Sequence, residues 1–293
     1  MNRSFRSQLT VGAFAVLGLV ATTTSVSAQG GTGGNAGTPD QQTVFTPPLK
    51  SGGEAPTSGL MIGTANGGND GVLMTLSPFS TTTFPGLFQN MAGLSHLPGS
   101  AIFSMTGGMT NGGNLFHFLG SGTIVGPFPT GYSSVPGLAW IDIGGAPDLV
   151  GSAAVSIIGD GLIHIDPLTG SSTGTGTYGG GIGGIDAIAQ DPTTGTLYGT
   201  TGFFYDGSPG DQITIDPISG LATDTFTDMS PIPPCVPGGL TIDLSGQAYV
   251  SMGGGGVGCS GAGQVYAWDL GTNAISLVGD GAVGSLTDIQ ALF

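Results

Sequence analysis

The chain has 293 residues, of which 59 are glycine and only 7% are charged. Three Lys and Arg residues stand against 18 Asp and Glu residues, so the formal net charge is −15 at pH 7. Recognition of phosphate groups depends on Lys and Arg, and this balance therefore argues against nucleic acids and anionic lipids as partners.

The first 28 residues have the features of an export signal. Arg3 and Arg6 precede an apolar stretch over residues 9–21, and Val26-Ser27-Ala28 offers the small residues of a cleavage site. The stretch is shorter than the roughly 18 residues that a spanning helix needs, and no later segment predicts insertion into a membrane. We expect an exported, soluble mature protein that starts near Gln29 and is extracellular, periplasmic or on the cell surface.

Residues 29–58 are rich in Gly, Pro, Thr and Gln and show no hydrophobic periodicity. This composition predicts a flexible leader in front of a folded domain over residues 59–293. Lys50 lies in this leader, and from Ser51 onward the sequence contains no Lys or Arg.

The rest of the chain repeats a short apolar strand that is followed by Gly, Ser or Thr. The five copies begin at Leu60, Ala101, Leu149, Leu197 and Tyr249. A period of roughly 41–52 residues, built only from short strands and turns, is typical of a propeller or a solenoid.

Each repeat can be divided into four strands, A to D, and the fourth repeat shows them best. Its strands are predicted at residues 185–190, 196–201, 212–216 and 222–227, joined by the turns Asp191-Pro-Thr-Thr-Gly195 and Asp216-Pro-Ile-Ser-Gly220. Asp can accept hydrogen bonds from the backbone that follows it, Pro presets a negative φ, and Gly adopts the positive φ that closes a hairpin. Related turns begin at Asp142, Asp166, Asp243 and Asp269.

The first repeat begins with strand B, whereas the chain ends with an additional strand A. Copies of strand A are predicted near Leu94, Leu138, Ile185, Leu240 and Leu286. The last copy can complete the first blade and so leave no open sheet edge. The sequence therefore predicts an all-β fold, a single β-propeller of five four-stranded blades closed by its C-terminal strand.

The Asp-Pro-x-[Ser/Thr]-Gly turns and the pattern Leu-Tyr-Gly…Ile-Asp-Pro…Gly resemble exported bacterial propeller repeat proteins, in the broad group of NHL-like and YVTN-like families. The resemblance covers residues 137–293 well and the first two repeats loosely. Its motifs are structural, so it implies the fold and assigns no activity or catalytic residue.

Cys235 and Cys259 are the only cysteines, and in an exported chain such a pair predicts a disulfide. Cys235 precedes one predicted strand and Cys259 follows its antiparallel neighbour, so both lie at the same sheet edge. A bridge closing a loop of this size stabilises by about 3 kcal/mol in the chain-entropy model. Two free thiols are the alternative.

The predicted propeller has two different ends. The A–B and C–D turns are short and lie together on one end, which we call the short-turn face. The B–C and D–A connections lie on the opposite end, the long-loop face, and include residues 106–113, 128–136, 202–211, 228–238 and 253–263. Variable loops on a rigid scaffold commonly carry binding sites, so we expect function on the long-loop face.

The aspartates divide in the same way. We interpret the six that begin short turns as structural. Carboxylates on the long-loop face are candidates for a Ca²⁺ site, because Ca²⁺ prefers oxygen ligands; they are Asp70, Asp160, Asp206 and Asp211. Solvated acids that keep the protein soluble are the alternative, and we expect no cofactor other than this possible calcium.

Two further aspartates, Asp186 and Asp288, are predicted at equivalent places near the start of strand A, where Ala139 and Thr241 stand in other blades. Strand A is innermost in a propeller, so both carboxylates would lie near the mouth of the central channel, where they could act as a metal ligand or general base. The alternative is that they accept hydrogen bonds from backbone N–H groups.

Aromatic side chains are candidates for stacking on a sugar. Phe203, Phe204 and Tyr205 lie in a predicted long loop, and Trp140 is a further candidate. His96, on an inner strand, is a candidate ligand or base. The sequence shows no evident Ser–His–Asp set.

Three hypotheses of function follow from the sequence. The first is a non-enzymatic binding or scaffolding module that recognises a glycan, a peptide or a cell-envelope protein through its long-loop face. The second is a metal-assisted hydrolase or lyase that uses Asp186 and Asp288. The third is a structural component of a surface or matrix.

Overall fold

A computed structural model describes most of the repeat region. The described residues are 60–65, 68–84, 91–97, 102–107, 113–119, 124–156, 159–202, 210–229, 235–253, 261–281 and 284–292. The predicted signal and leader lie outside them. In the part of the chain that is described, the regular elements are β-strands, and no helix there is long and apolar enough to span a membrane.

The strands follow the predicted repeat closely. Numbered in chain order they are β1 (Leu60–Ala65), β2 (Asp70–Leu76), β3 (Phe79–Phe84), β4 (Met91–His96), β5 (Ile102–Gly107), β6 (Leu115–Leu119), β7 (Ile124–Phe128), β8 (Gly137–Ile143), β9 (Ala146–Ser156), β10 (Gly159–Ile165), β11 (Ser172–Gly174), β12 (Ile185–Gln190), β13 (Leu197–Thr201), β14 (Asp211–Ile215), β15 (Ala222–Asp228), β16 (Pro237–Ile242), β17 (Ala248–Met252), β18 (Gln264–Trp268), β19 (Ile275–Asp280) and β20 (Leu286–Ala291).

The strands form five four-stranded antiparallel sheets, which are blades 1 to 5 of a propeller. From the inner to the outer strand they are β20-β1-β2-β3, β4-β5-β6-β7, β8-β9-β10-β11, β12-β13-β14-β15 and β16-β17-β18-β19. The inner strands contact one another in the order β20, β4, β8, β12, β16 and back to β20, so the ring is closed. The predicted five-bladed, all-β architecture is confirmed.

The C-terminal strand completes blade 1, as predicted. β20 pairs antiparallel with β1, with Ala291 opposite Met61 and Ile289 opposite Gly63. This pairing joins the two ends of the repeat region in one sheet and removes the edges that an open array would expose.

Apolar side chains form one buried cluster at each junction between neighbouring blades. Leu162 and Ile188 belong to the cluster between blades 3 and 4, and Leu115 and Leu138 to the cluster between blades 2 and 3. Full burial of one such side chain stabilises the fold by about 1.5–3 kcal/mol. These junctions hold the blades around the channel.

Backbone pairing aligns the five inner strands residue by residue. Position 1 of this alignment is Leu286, Met91, Val135, Ile185 and Pro237 in blades 1 to 5. Position 3 is Asp288, Gly93, Gly137, Ala187 and Gly239 in the same order. Position 5 is Gln290, Ser95, Ala139, Ala189 and Thr241, and position 6 is Ala291, His96, Trp140, Gln190 and Ile242.

A buried Ser or Thr recurs in strand B and, at two of the five junctions, links one blade to the next. A hydroxyl residue stands opposite position 3 in every blade, namely Thr64, Thr106, Ser152, Thr200 and Ser251. The Thr106 hydroxyl donates to the Val135 carbonyl at 2.6 Å, and the Ser152 hydroxyl donates to the Ile185 carbonyl at 2.7 Å. Each of these two acceptors lies in the following blade. The Thr64 hydroxyl instead contacts Thr287 of its own blade, and those of Thr200 and Ser251 have no hydrogen-bond partner among the described residues.

The short turns have the predicted geometry. Oδ1 of Asp166, Asp191, Asp216 and Asp243 accepts the backbone N–H two residues downstream at 2.8 Å in each case. The glycines that close three of these turns, Gly170, Gly195 and Gly220, have φ values of 74°, 76° and 72°, which are strained for residues with a side chain. These turns form the short-turn face.

Candidate functional site

A cavity opens at the centre of the short-turn face. It has a volume of about 680 Å³ and is lined by all five residues of position 5, together with position 6 residues and the A–B turns of blades 3 to 5. This volume falls within the range of small-molecule and side-chain binding pockets. Of the described residues of blade 1, only Gln290 contributes to the lining.

Position 5 carries small residues in blades 2 to 5, and these leave room for the cavity. The Ser95 hydroxyl accepts a hydrogen bond from the backbone N–H of Trp140 at 2.8 Å, and the Thr241 hydroxyl accepts one from the backbone N–H of Ala291 at 2.9 Å. Both donors are at position 6 of the next blade. Blades 3 and 4 have Ala139 and Ala189 at position 5 instead, and alanine has no group that reaches across. Both alanines line the cavity.

Gln190 holds the cavity rim between blades 3 and 4. Its Oε1 accepts the Asp142 N–H at 2.6 Å, and its Nε2 donates to the Asp142 carbonyl at 3.2 Å and the Gly195 carbonyl at 3.0 Å. These three bonds tie the A–B turn of blade 3 to that of blade 4. On the opposite side, Gln290 Nε2 donates to the Thr241 hydroxyl at 3.3 Å.

Trp140 lines the cavity, and its indole is held by contacts between blades 2 and 3. Its indole N–H donates to the Ser104 hydroxyl at 3.0 Å, and that hydroxyl lies 3.0 Å from Nδ1 of His117. His117 in turn contacts the Pro167 carbonyl through Nε2 at 2.6 Å. This chain of contacts crosses from blade 2 to blade 3 and fixes the orientation of the indole.

The turn aspartates give the short-turn face a negative charge. Hydrogen bonds from the backbone N–H of Leu168 and the Thr169 hydroxyl lower the pKa of Asp166. The backbone N–H groups of Ser219 and Ile218 lower the pKa of Asp216 in the same way. Asp269 has a lowered pKa because it accepts the N–H groups of Gly271 and Thr272. These carboxylates are ionised at neutral pH, and no Lys or Arg follows Lys50 in the sequence to compensate them.

The described lining thus combines amide, hydroxyl, indole and aliphatic groups with His96 and Asp142, at the centre of a negative face. Such a lining can form hydrogen bonds and apolar contacts with a neutral or cationic group. Among the described residues it contains no Lys or Arg that would bind a carboxylate or a phosphate.

Asp288 has a structural role between blades. It is 3% exposed, its Oδ1 accepts the N–H of Ile289 at 2.7 Å, and its Oδ2 accepts the N–H of Leu94 in blade 2. Burial raises its pKa well above the usual value, although these two hydrogen bonds oppose the shift. The corresponding place at the preceding junction has no room for a side chain: a Cβ on Gly239 would lie 2.4 Å from the N atom of Ile289.

Asp186 occupies a different position. Asp288 is at position 3 of blade 1, where it pairs with Thr64. In blade 4, position 3 is Ala187, which pairs with Thr200. Asp186 is the residue before Ala187, and it is the unpaired residue of a β-bulge. The predicted equivalence of the two aspartates is therefore wrong, and Ala139 and Thr241 lie further along, at position 5. The same bulge recurs in blades 1, 2 and 5, where the unpaired residues are Thr287, Ala92 and Gly238, so it belongs to the repeat.

Asp186 packs against the Gly202 backbone near the long-loop face. Burial and the nearby charge of Asp160 raise its pKa to about 7. Asp160 Oδ2 accepts the Gly184 N–H at 2.5 Å. The interactions of Asp186 are thus with blades 3 and 4, while the side chain of Asp288 points to blade 2.

The calcium candidates do not converge in the described residues. Asp70 begins β2, while Asp211 is buried and its Oδ2 accepts a hydrogen bond from Thr201 at 3.3 Å. Asp206 lies outside the described residues. Across the segments that the structure describes, no three His, Cys, Asp or Glu residues are grouped as metal ligands. The calcium site remains a prediction.

The aromatic and cysteine predictions fall mainly in loops outside the described residues. Phe203, Phe204, Tyr205 and Cys259 all lie there. Cys235 is described and fully buried, and its Sγ accepts the Gly261 N–H at 3.3 Å. The disulfide and the sugar-stacking role therefore stay predictions.

Sequence reasoning missed most of the cavity. His96 and Trp140 were candidates and do line it, but the glutamines and the position 5 alanines were not singled out. The available signal was the variation of one strand A position between Ser, Thr, Ala and Gln, while the position before it is always Leu or Ile. Finding it required the inner strands to be aligned in the correct register.

Comparison with known proteins supports the fold. No protein-family model matches the chain, and no curated protein matches its sequence. A solved structure of a nidogen/laminin complex contains a chain that is similar over 79% of this chain and 97% of its own, with 12% identity and a TM-score of 0.53.

Two bacterial structures are more distant. A protein of unknown function from Bacteroides thetaiotaomicron matches 78% of this chain and 60% of its own length, with 13% identity and a TM-score of 0.47. TolB from Acinetobacter baumannii matches 78% of this chain and 54% of its own, with 13% identity and a TM-score of 0.46. At these identities the likeness concerns the fold alone, and the chain is a five-bladed β-propeller repeat protein.

Proposed function

We propose that the protein is a non-catalytic binding module that receives a group of its ligand in the cavity at the centre of the short-turn face. One observation carries this proposal: the inner strands of all five blades meet around a space of about 680 Å³, and the position 5 residues of blades 2 to 5 are small. The rim is held by hydrogen bonds between turns, so the site is formed before a ligand arrives. Binding to such a site loses little free energy to ordering.

The arrangement of the two inner carboxylates supports binding rather than catalysis. Asp288 is engaged by two backbone N–H groups, and Asp186 interacts with a different pair of blades. The metal-assisted hydrolase hypothesis requires both to act at one place. The long-loop face retains its sequence-based candidates for an additional contact.

We further propose that this module acts after export, with residues 1–28 removed and Cys235 joined to Cys259. Intact mass and N-terminal sequencing of protein recovered from the medium or envelope test both points. A start near Gln29 and a mass 2 Da below that of the dithiol are expected, in line with the loss of two hydrogen atoms on disulfide formation.

The cavity can be filled with a residue that the fold already accepts there. Ala139→Gln/Ala189→Gln places at position 5 of blades 3 and 4 the side chain that blade 1 carries at Gln290. Ala139→Ser/Ala189→Thr is the matched control, because it introduces the smaller residues of blades 2 and 5.

Saturation-transfer NMR with a panel of neutral polar and primary-amine fragments would detect the binding. We expect fragments to bind the wild type and the control, and at least tenfold weaker binding to the cavity-filled variant. Equal binding to all three proteins, or no fragment binding to the wild type, would contradict the proposal.

A further inference from the structure

Exposed aliphatic side chains lie at the tips of the short turns, although the turns themselves need only Asp, Gly and other hydrogen-bonding residues to form. Leu168, Ile218 and Leu244 are 81%, 73% and 58% exposed, and they occur in blades 3, 4 and 5. Leu168 and Ile218 follow Pro in the C–D turns, and Leu244 lies in an A–B turn and also lines the cavity. The exposed aliphatic groups therefore extend from the cavity outward over three blades.

The same turns carry the charge. Each of these three side chains lies within two residues of a carboxylate, Asp166, Asp216 or Asp243, whose Oδ1 is held by the turn backbone. The side chains that carry the charge are thus fixed in place, and the described residues include no Lys or Arg to pair with them. A fixed set of like charges beside apolar groups attracts a cationic partner over long distances.

We infer that the short-turn face of blades 3 to 5 docks a basic segment of a partner protein, which inserts an apolar side chain into the central cavity. This inference rests on the proposed function, because it uses the same cavity. Aliphatic turn tips favour a polypeptide over a glycan, since sugars are recognised mainly through hydrogen bonds and aromatic stacking. The absence of Lys and Arg after Lys50 favours a basic segment over an acidic one.

The probe for this inference is a set of synthetic 12-residue peptides with net charges of −4, 0 and +4 and with Leu, Trp or Ser at the centre. Neutral oligosaccharides form a parallel set. Binding to the full mature chain is measured by fluorescence anisotropy at about 50 and 300 mM NaCl, salt concentrations at which screening differs strongly.

Three variants separate the contributions of the surface. Asp216→Asn/Asp269→Asn removes two charges but keeps the Oδ1 acceptor of each turn. Asp228→Asn/Asp280→Asn removes the same charge from the ends of β15 and β19, at the opposite face. Ala139→Gln/Ala189→Gln fills the cavity.

We expect the +4 peptides with Leu or Trp to bind at least tenfold more tightly than the neutral peptides and those with Ser. We also expect affinity to fall several-fold at the higher salt concentration. The Asp216→Asn/Asp269→Asn variant should bind about three- to tenfold more weakly, and the opposite-face variant should bind like the wild type. Filling the cavity should remove the preference for Leu or Trp.

Different failures have different meanings. Cavity-dependent binding of the neutral oligosaccharides alone overturns the basic partner and leaves the proposed function standing. Binding of +4 peptides that is unaffected by filling the cavity overturns the proposed function as well. Equal losses in the two charge variants, or no peptide binding at millimolar concentration, overturn the docking surface.

Discussion

Aspartate has different roles at the two faces of the propeller. At the short-turn face, six aspartates begin turns, and their Oδ1 atoms accept nearby backbone N–H groups. Toward the long-loop face, Asp186 and Asp288 are single, largely buried and have raised pKa values. The aspartates that recur with the repeat hold the turns and provide surface charge. The two that do not recur are largely buried, and burial of their charged form lowers stability.

Replacing Asp186 should give the largest effect on stability. A carboxyl group whose pKa is raised in the folded state costs nothing below its unfolded pKa, and its cost grows as the pH rises to the folded value of about 7. Asp186→Asn should therefore raise the free energy of unfolding by about 1–4 kcal/mol at pH 8 and much less at pH 4.5. Urea denaturation at both pH values measures this, and the same gain at both would refute the burial argument.

Asp288 should show the opposite sign despite its similar burial. Asp288→Ala removes the acceptor for the Leu94 and Ile289 N–H groups and leaves a small residue like Ala187 in its place. Loss of a buried hydrogen-bond partner should lower stability by about 1–3 kcal/mol. Denaturation at pH 6, with Ala187→Ser as a position 3 control, tests this; a stabilised Asp288→Ala variant would mean that burial outweighs the inter-blade bonds.

A short-turn aspartate should also destabilise when it is removed, and its pH dependence should differ from that of Asp186. Burial tends to raise the pKa of Asp191, but hydrogen bonds from Thr193 and Thr194 outweigh it and lower the pKa. Its contribution is thus present above the unfolded pKa near 4 and is lost as the pH falls below it. We expect Asp191→Ala to cost about 1–2 kcal/mol at pH 7 and less at pH 3. Asp191→Asn, which keeps one acceptor, should cost less, and equal losses in both variants would contradict this account of the turn.

The smallest expected effect concerns the gap at position 5. Ala189→Thr introduces the hydroxyl that Thr241 uses to accept a position 6 N–H in the next blade. One additional hydrogen bond of this kind should stabilise by about 0.5–1 kcal/mol. Ala189→Val has nearly the same shape without the hydroxyl, so an equal Tm for the two variants would show that packing alone is responsible.

The comparison also shows what could be predicted from the sequence. Turns with Asp and Gly are local, so their motif determines them, and the alternating strands place Leu94, Leu138 and Leu240 correctly on the inner strands. The missing first strand A and the additional last one predicted how the ring closes. All of these features repeat and therefore reinforce one another.

The cavity could not be predicted in this way, because it arises from differences between the repeats. Asp186 is the bulged residue of its inner strand and Asp288 is the paired residue after the bulge, so the two aspartates differ by one position although both lie near the start of strand A. Ala139 and Ala189 are unremarkable residues for a strand, and their effect appears only when five strands meet around an axis. Long-range register and shape complementarity are not encoded in local patterns.

The most direct test of the central claim uses the two tryptophans of the chain. Trp140 lines the cavity, whereas Trp268 is fully buried in blade 5, where its indole N–H donates to Asn273 at 3.0 Å. Each gives one indole signal in a ¹H–¹⁵N spectrum, which Trp140→Phe assigns. As the +4 Leu-centred peptide is titrated in, the account predicts that the Trp140 signal shifts and saturates while the Trp268 signal stays in place. Saturable binding that leaves the Trp140 signal unmoved would place the ligand elsewhere and contradict the claim.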